Sequence, residues 1–304
     1  MMERVRCGLI GAGWWGTRAH LPALCGHPEA DVVAVQHHDA QISRRVADDF
    51  GVPHGFTSAD ELLALDRLDA VVISSTPHLH HPQAIAALQR GLHVLVEKPM
   101  TLTARQAKKI VDLAAENNVE LIVGCPFHYT RHAAMAQRLV GDGTLGAIKL
   151  IHILMTDELL GFYRGQRWPD IATEHPDPEI QADAYLPPGQ NSYSDPRIVG
   201  GGQIYCQVAH PAAYVAFLTG DEAESVHALF DRAGTQVDVH NALNIRMTAG
   251  TIVFAVKQRC PGRRTARLHG LRVRHARRHH SGFVGRHDTD LRPQRRTRCP
   301  SPAE

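Results

Sequence analysis

The six cysteines of this 304-residue chain (Cys7, Cys25, Cys125, Cys206, Cys260 and Cys299) form no CxxC pair and no dense framework. That spacing excludes a disulfide-stapled scaffold and the common zinc-finger patterns, so reduced thiols and no metal are expected. No apolar run approaches the roughly 18 residues that a membrane helix requires, and nothing with the charge and apolar pattern of a secretory leader precedes "CGLIGAGWWG". The expectation is a cytoplasmic protein without a membrane partner. Aromatic residues make up only 6%, yet 43% of the chain is hydrophobic, enough for a large core. The length suggests two domains.

Negative charge is missing from one end of the chain. Residues 259–304 hold 13 arginines, no lysine and 3 acidic groups, leaving 20 basic against 28 acidic groups in residues 1–258. A basic arm that binds nucleic acid usually mixes lysine with arginine and interleaves aromatics. This tail does neither, and the body of the chain is acidic, so a nucleic-acid partner is disfavoured. Strand-like alternation stops near Arg259 and large apolar residues thin out. The tail is therefore expected to be disordered, or to be read out of frame from a GC-rich gene, which would leave the preceding domain short of strands.

The first 125 residues alternate short apolar runs with amphipathic ones. Strands are predicted at Val5 to Ile10, Val32 to Val35, Ala70 to Ser74, Val94 to Val96 and Leu121 to Val123. Helices are predicted at Thr17 to Cys25, Gln41 to Phe50, Gln83 to Arg90 and Ala104 to Asn117. Strict alternation of this kind predicts βαβ units and a doubly wound parallel sheet, with Gly51, Gly91 and Asn117/Asn118 as left-handed helix ends. From residue 126 to 258 the pattern becomes α+β. It has helices at Ala133 to Val140 and His210 to Leu218, and strands at Ala147 to Met155, Ala223 to Phe230, Val237 to Met247 and Thr251 to Val256. A long proline-containing stretch, 157–199, is a candidate functional loop.

"GLIGAGWWGTRAHLPAL" sets Gly11, Gly13 and Gly16 between the first strand and a helix. In that context GxGxxG cradles a pyrophosphate: Gly11 makes the turn, Gly13 lets the phosphate approach the backbone, and Gly16 allows close helix packing. NAD or NADP is the expected cofactor. The second strand should end on an acid that binds the adenosine ribose of NAD, but "VVAVQHHDAQ" offers His37, with Asp39 the nearest carboxylate. Whether His37 and His38 face solvent or the 2′-phosphate of NADP stays open. His78, His80, His81 and His93 lack helical ligand spacing and an acidic partner, so no metal site is read from them.

Taken with "VVISSTPHLHHPQAIAALQRGLHVLVEKPMTLT", "GDGTLGAI" and "GGGQIYCQVAH", the chain resembles the Gfo/Idh/MocA family of NAD(P)-dependent oxidoreductases, which includes glucose–fructose oxidoreductase and inositol dehydrogenase. The resemblance covers about residues 4 to 256. It implies a Rossmann domain (1–125) followed by an α+β domain with an open, mostly antiparallel sheet (126–258), hydride transfer with a sugar, polyol or related substrate, and a homo-oligomer, dimer or tetramer. It also implies that Lys98 of the "EKP" signature reaches cofactor and substrate, that the Lys98–Pro99 bond is cis, and that Trp14, Trp15, Ser75, Thr76, Pro77, His80 and Glu97 line the cofactor. His210 matches the family's second-domain histidine. Cys206 stands where the family has an aspartate four residues earlier, which raises the alternative of impaired catalysis, since an ordinary thiol relays protons less readily than a carboxylate. His128, after the fifth strand, is a substrate-contact candidate. Tyr163, Arg164, Trp168, Tyr185 and Tyr193 give the 157–199 loop groups suited to a sugar.

Overall fold

The computed structural model describes residues 4–157, 159–174, 185–259 and 268–275. Six parallel strands form the first sheet: β1 (Val5–Ile10), β2 (Ala30–Gln36), β3 (His54–Phe56), β4 (Ala70–Ile73), β5 (His93–Val96) and β6 (Leu121–Val123). Their spatial order is β3-β2-β1-β4-β5-β6. The order reverses between β1 and β4, and at such a switch point the strand ends diverge and leave a crevice for ligands.

Both faces of this sheet are buried because neighbouring residues on one strand serve opposite cores. Ile10, Val33, Val71, Ile73, Val94 and Val96 pack on one side, while Leu9, Val35 and Val72 pack on the other. Each such aliphatic side chain contributes roughly 1.5–3 kcal/mol on full burial. A π-wound turn, Gly16–His20, leads into α1 (Leu21–Cys25). It is followed by α2 (Ala40–Phe50), α3 (Ala59–Leu63), α4 (Pro77–Leu88) and α5 (Ala104–Glu116). Asp39, Ser58 and Thr103 cap α2, α3 and α5 with side-chain oxygens, and Gly51, Gly91 and Asn118 take the left-handed conformations expected of helix ends. Two elements depart from expectation. The β3–α3 segment is too short to show periodicity, and α4 starts at Pro77 rather than Gln83 and carries Pro82 inside it.

The second sheet has the order β11-β7-β10-β9-β8, from β7 (Ile148–Asp157), β8 (Ala223–Asp231), β9 (His240–Met247), β10 (Ile252–Arg259) and β11 (Leu268–His275). Only β7 and β10 pair in parallel; the remaining pairs are antiparallel. Strand pairing therefore continues past Arg259, contrary to expectation, because "LHGLRVRH" keeps enough alternation for one further strand against β7. The rest of the Arg/His-rich tail, residues 260–267 and 276–304, lies outside the described residues. The helices α6 (Arg131–Gly141), α7 (Leu160–Tyr163), α8 (Trp168–Glu174), α9 (Pro196–Val199), α10 (Gln203–Cys206) and α11 (Ala209–Thr219) complete this half. Ile151, Ile153, Val208, Val215, Leu243 and Val253 form its core. Val226, Leu229, Phe230, Ile252 and Phe254 remain exposed.

Candidate functional site

Gly11 has φ 87°, and a Cβ there would lie 2.4 Å from the backbone nitrogen of Ser75, so only glycine fits between β1 and the end of β4. A Cβ on Gly16 would meet the carbonyl oxygen of Gly11 at 2.7 Å, whereas one on Gly13 would meet nothing within 4 Å. The turn is therefore closed at its first and last glycines and open at the middle one, which is the shape a pyrophosphate cradle needs. Gln36 braces it. The Gln36 side chain accepts from the Gly11 N–H at 3.2 Å and donates to the Thr57 carbonyl at 2.9 Å.

Past β2, the rings of His37 and His38 stand 4.3 Å apart. The Asp39 N–H donates to His37 Nδ1 at 3.1 Å, which leaves Nε2 to carry the proton of the neutral ring. Burial and the neighbouring His38 lower the pKa of His37. The Asp39 carboxylate accepts the N–H groups of Gln41 and Ile42 and is occupied as the cap of α2.

At the end of β5 the Lys98–Pro99 peptide bond is cis. Glu97 is buried and gathers three donors. Its Oε1 accepts from Trp15 Nε1 at 2.9 Å and lies 2.9 Å from His20 Nε2, while Oε2 accepts the Lys98 N–H at 3.0 Å. Burial pushes the Glu97 carboxyl up, but the His20 bond, the charge of Lys98 and the Lys98 N–H outweigh it and keep the group below its usual range. Glu97 thus fastens the glycine turn, through Trp15 and His20, to the strand end that carries Lys98. Gly124 leaves room for it, since a Cβ there would lie 2.8 Å from Oε1.

His80 is 1% exposed. Its Nδ1 lies 2.9 Å from the Pro99 carbonyl and its Nε2 lies 2.9 Å from the Ser75 carbonyl. Both partners only accept, so the neutral ring that burial favours donates to one of them at a time. His80 is enclosed between the two loops rather than presented to the crevice. The Ser75 hydroxyl donates to Gln83 Oε1 at 2.6 Å. Thr76 and Pro77 open α4.

The second half of the site is built on a glycine corner. A Cβ on Gly202 would lie 1.9 Å from the Asp238 carbonyl, and the Asp238 carboxylate accepts the N–H groups of Gly202 and Ile204 at 2.8 Å each. So held, α10 presents the Cys206 carbonyl to Lys98 Nζ, which donates to it at 3.1 Å. The Cys206 thiol is 1% exposed and is pushed up to about 12 by burial. It is protonated at neutral pH. His210 is lowered to about 4 by burial and by the charge of Lys98, so it is a neutral imidazole, and its buried Nδ1 has no hydrogen-bond partner among the described residues. The ring meets Phe127 edge-on with centroids 5.0 Å apart.

Other expected residues have other surroundings. His128 Nε2 lies 3.0 Å from the Ala213 carbonyl, and its ring packs on Phe217 at 4.8 Å. Tyr163 is buried, Arg164 is exposed, and the Tyr185 hydroxyl donates to Asp49 at 2.6 Å. Trp14 stacks on Phe162 at 5.6 Å and lies 5.7 Å from Trp168, and Phe162 meets Tyr193 at 5.4 Å. This aromatic wall joins the glycine turn to the 157–199 segment. Residues 158 and 175–184 of that segment lie outside the described residues. No motif marks Gln36, Gln203 or the buried pair Asp157 and Lys257 in the sequence. Among the described residues Cys7, Cys25, Cys125 and Cys206 are free.

A closed–open–closed glycine turn at the switch point of a doubly wound sheet defines a dinucleotide-binding domain of the Rossmann type. Residues 5–125 match the oxidoreductase family with an NAD-binding Rossmann fold, Gfo/Idh/MocA. It is 34% identical over 154 residues to a dTDP-3,4-didehydro-2,6-dideoxy-alpha-D-glucose 3-reductase of Streptomyces antibioticus, covering 50% of this chain and 46% of that protein. It is 33% identical over 141 residues to a D-xylose 1-dehydrogenase (NADP(+)) of Haloferax volcanii, covering 46% and 43%. The chain thus spans less than half the length of these two curated relatives. Among solved structures, GenD2 from gentamicin A biosynthesis in complex with NAD superposes with a TM-score of 0.68 at 24% identity, over 86% of this chain and 68% of that one. Myo-inositol 2-dehydrogenase from Lactobacillus plantarum superposes with a TM-score of 0.67 at 20% identity, over 89% and 73%. These two likenesses concern the fold.

Proposed function

We propose that the chain is an NAD(P)-dependent oxidoreductase that interconverts a CH–OH group and a carbonyl on a sugar, polyol or related substrate. The observation that carries this reading is Lys98, fixed at a strand end beside the glycine turn and bonded across the crevice to the segment that bears His210. The cofactor residues are Gly11, Gly13, Trp14, Trp15, Gly16, His37, Ser75, Thr76, Pro77 and Glu97, with His80 acting from behind. The bound nicotinamide supplies the hydride acceptor or donor. For oxidation, the substrate hydroxyl takes the place of the Cys206 carbonyl as hydrogen-bond partner of Lys98 Nζ. The ammonium then stabilises charge developing on that oxygen. Neutral His210 accepts the hydroxyl proton at Nδ1. His128 and Cys206 border the substrate. The named activities of the relatives, a sugar dehydrogenase and a sugar-nucleotide reductase, support this substrate class.

Residues 1–125 act in this reading as the cofactor domain and 126–258 as the substrate and oligomerisation domain. The exposed apolar side chains of the second sheet support a homo-oligomer. A cytoplasmic location fits the free cysteines and the lack, among the described residues, of a helix long and apolar enough to cross a membrane. The test is fluorescence titration with NADH and NADPH, followed by a panel of sugars and polyols with the oxidised cofactors. Binding of one cofactor and turnover of a panel member support the reading. Failure to bind either at millimolar concentration overturns it.

A further inference from the structure

Lys98 has a partner on α10 that its proposed chemistry requires it to leave. When a substrate hydroxyl replaces the Cys206 carbonyl on Lys98 Nζ, the 3.1 Å bond between the strand end and α10 is given up. A second bond crosses the same crevice in the opposite sense. The Tyr205 hydroxyl donates to the Leu102 carbonyl at 3.2 Å, so a side chain of α10 holds the backbone of the segment that follows Lys98. Glycines make the seat for its ring. A Cβ on Gly200 would lie 2.9 Å from Tyr205 Cε1 and 3.0 Å from Leu102 Cδ2, and one on Gly201 would lie 2.7 Å from Tyr205 Cδ2. A side chain at either place would push the ring off the Leu102 segment.

The other end of α10 is held by Asp238, whose carboxylate accepts the N–H groups of Gly202 and Ile204 and whose carbonyl accepts the Gln203 N–H at 2.9 Å. Rigidity then passes along the backbone to His210. The Gln203 carbonyl accepts the N–H groups of Gln207 and Val208 at 2.9 Å each, and the Gln207 carbonyl accepts the His210 N–H at 3.0 Å. His210 therefore moves with α10. Lys98 and His210 stand on different halves of the chain, so their spacing depends on the contacts between those halves, and an error of about 1 Å in such a spacing can cost about 10²-fold in rate. Resting on the oxidoreductase reading above, we propose that Tyr205 is a positioning residue of the reaction: its hydroxyl, bound to the Leu102 carbonyl, keeps α10 and His210 aligned with Lys98 after Lys98 has exchanged the Cys206 carbonyl for the substrate.

The test uses the full chain and Tyr205→Phe, which removes the hydroxyl and keeps the ring. This variant should lower kcat by about 10-fold, short of the full cost of a misplaced group, and leave the affinity for NADH and NADPH unchanged. In a Lys98→Ala background the same substitution should cost nothing further, because only one of the two aligned groups remains. A tyrosine that merely supported the fold would lower kcat equally in both backgrounds. The second readout is iodoacetamide labelling of Cys206, followed by peptide mass spectrometry. Labelling should quicken in Tyr205→Phe by about twofold to tenfold, the range that one lost hydrogen bond allows, while Cys7, buried in the first sheet, stays protected. Wild-type kcat in Tyr205→Phe, an equal loss in the Lys98→Ala background, unchanged labelling of Cys206, or labelling of Cys7 alongside it each overturns the proposal. The labelling needs neither cofactor nor substrate, so its failure is distinct from a failure of the wild-type protein to bind NADH or NADPH.

Discussion

Lys98 Nζ and the carbonyl oxygen of Cys206, 108 residues apart in the chain, are joined by a 3.1 Å hydrogen bond. The bond links a strand end of the first sheet to a short helix beside the second, and it goes to the backbone, not to the thiol. Lys98 is thus held in the crevice by a contact that a substrate hydroxyl can replace, while the cofactor turn at Gly11 to Gly16 is built without it. Lys98→Ala should lower kcat by at least about 10²-fold, the low end for losing an acid–base or oxygen-stabilising group. Cofactor affinity measured by fluorescence should stay close to wild type. Full activity in this variant would assign the chemistry elsewhere.

The same bond makes a prediction about position 206. Since the carbonyl is the contact and the thiol is buried and protonated, Cys206→Ser should retain kcat, and iodoacetamide should leave Cys206 unmodified in the native protein while reacting after denaturation. Steady-state kinetics and peptide mass spectrometry read the two outcomes. A large loss of kcat in Cys206→Ser would show that the sulfur itself takes part.

Two glycines of one turn should fail in different ways. A side chain on Gly13 points into open space, so Gly13→Val should fold normally and lose cofactor affinity by filling the cradle. A side chain on Gly11 would collide with the backbone at Ser75, 2.4 Å away, in a left-handed conformation. Gly11→Ala should therefore lower the thermal midpoint even without cofactor. Equal melting curves for the two variants would contradict this division of labour.

His80 serves two loops at once. Replacing it with leucine leaves the carbonyls of Ser75 and Pro99 without their ring partner, at a cost of about 1–3 kcal/mol for a buried acceptor left unpaired. Both loops then loosen, so His80→Leu should weaken cofactor binding and lower kcat together, unlike Lys98→Ala. Urea unfolding measures the first effect, and titration with kinetics measures the second. A variant with wild-type stability would mean that the enclosed ring contributes nothing to the loops.

The first sheet was legible because its strands are continuous apolar runs and its helices have clear caps and left-handed ends, as at Gly51 and Asn118. The glycine turn and Glu97-Lys98-Pro99 were legible because each needs particular residue types in a fixed order. The short β3 offered no such signal: three residues, one of them Gly55, show no period. The early start of α4 was hidden because histidines and Pro82 read as a turn, while burial of His80 between two loops favours helix there. Glu97 was recognised by its motif, but its links to Trp15 and His20 span some 80 positions and leave no local trace. Asp157 and Lys257 were invisible for the same reason, being 100 residues apart and brought together only by the parallel pairing of β7 and β10.

The histidines also fix how stability should depend on pH. His210 has a folded-state pKa of about 4 against an ordinary value of 6.5, and burial lowers that of His80 as well. Between those two values the unfolded chain binds protons that the folded chain refuses, so stability must fall as the pH drops from about 6.5 towards 4 and change little from these groups above 6.5. For His210 alone the full loss is about 3 kcal/mol at 1.36 kcal/mol per pKa unit. Glu97 acts in a lower window: its depressed pKa stabilises the fold above the ordinary carboxylate value of 4.5, and that contribution disappears as the pH falls through its folded pKa. Urea midpoints measured at pH 7.5 and pH 5 should therefore differ for the wild-type protein. His210→Asn, which cannot titrate, should narrow the gap while keeping the further loss below pH 4.5. If the gap is the same in the variant, His210 is not the neutral buried ring on which the proposed proton transfer depends.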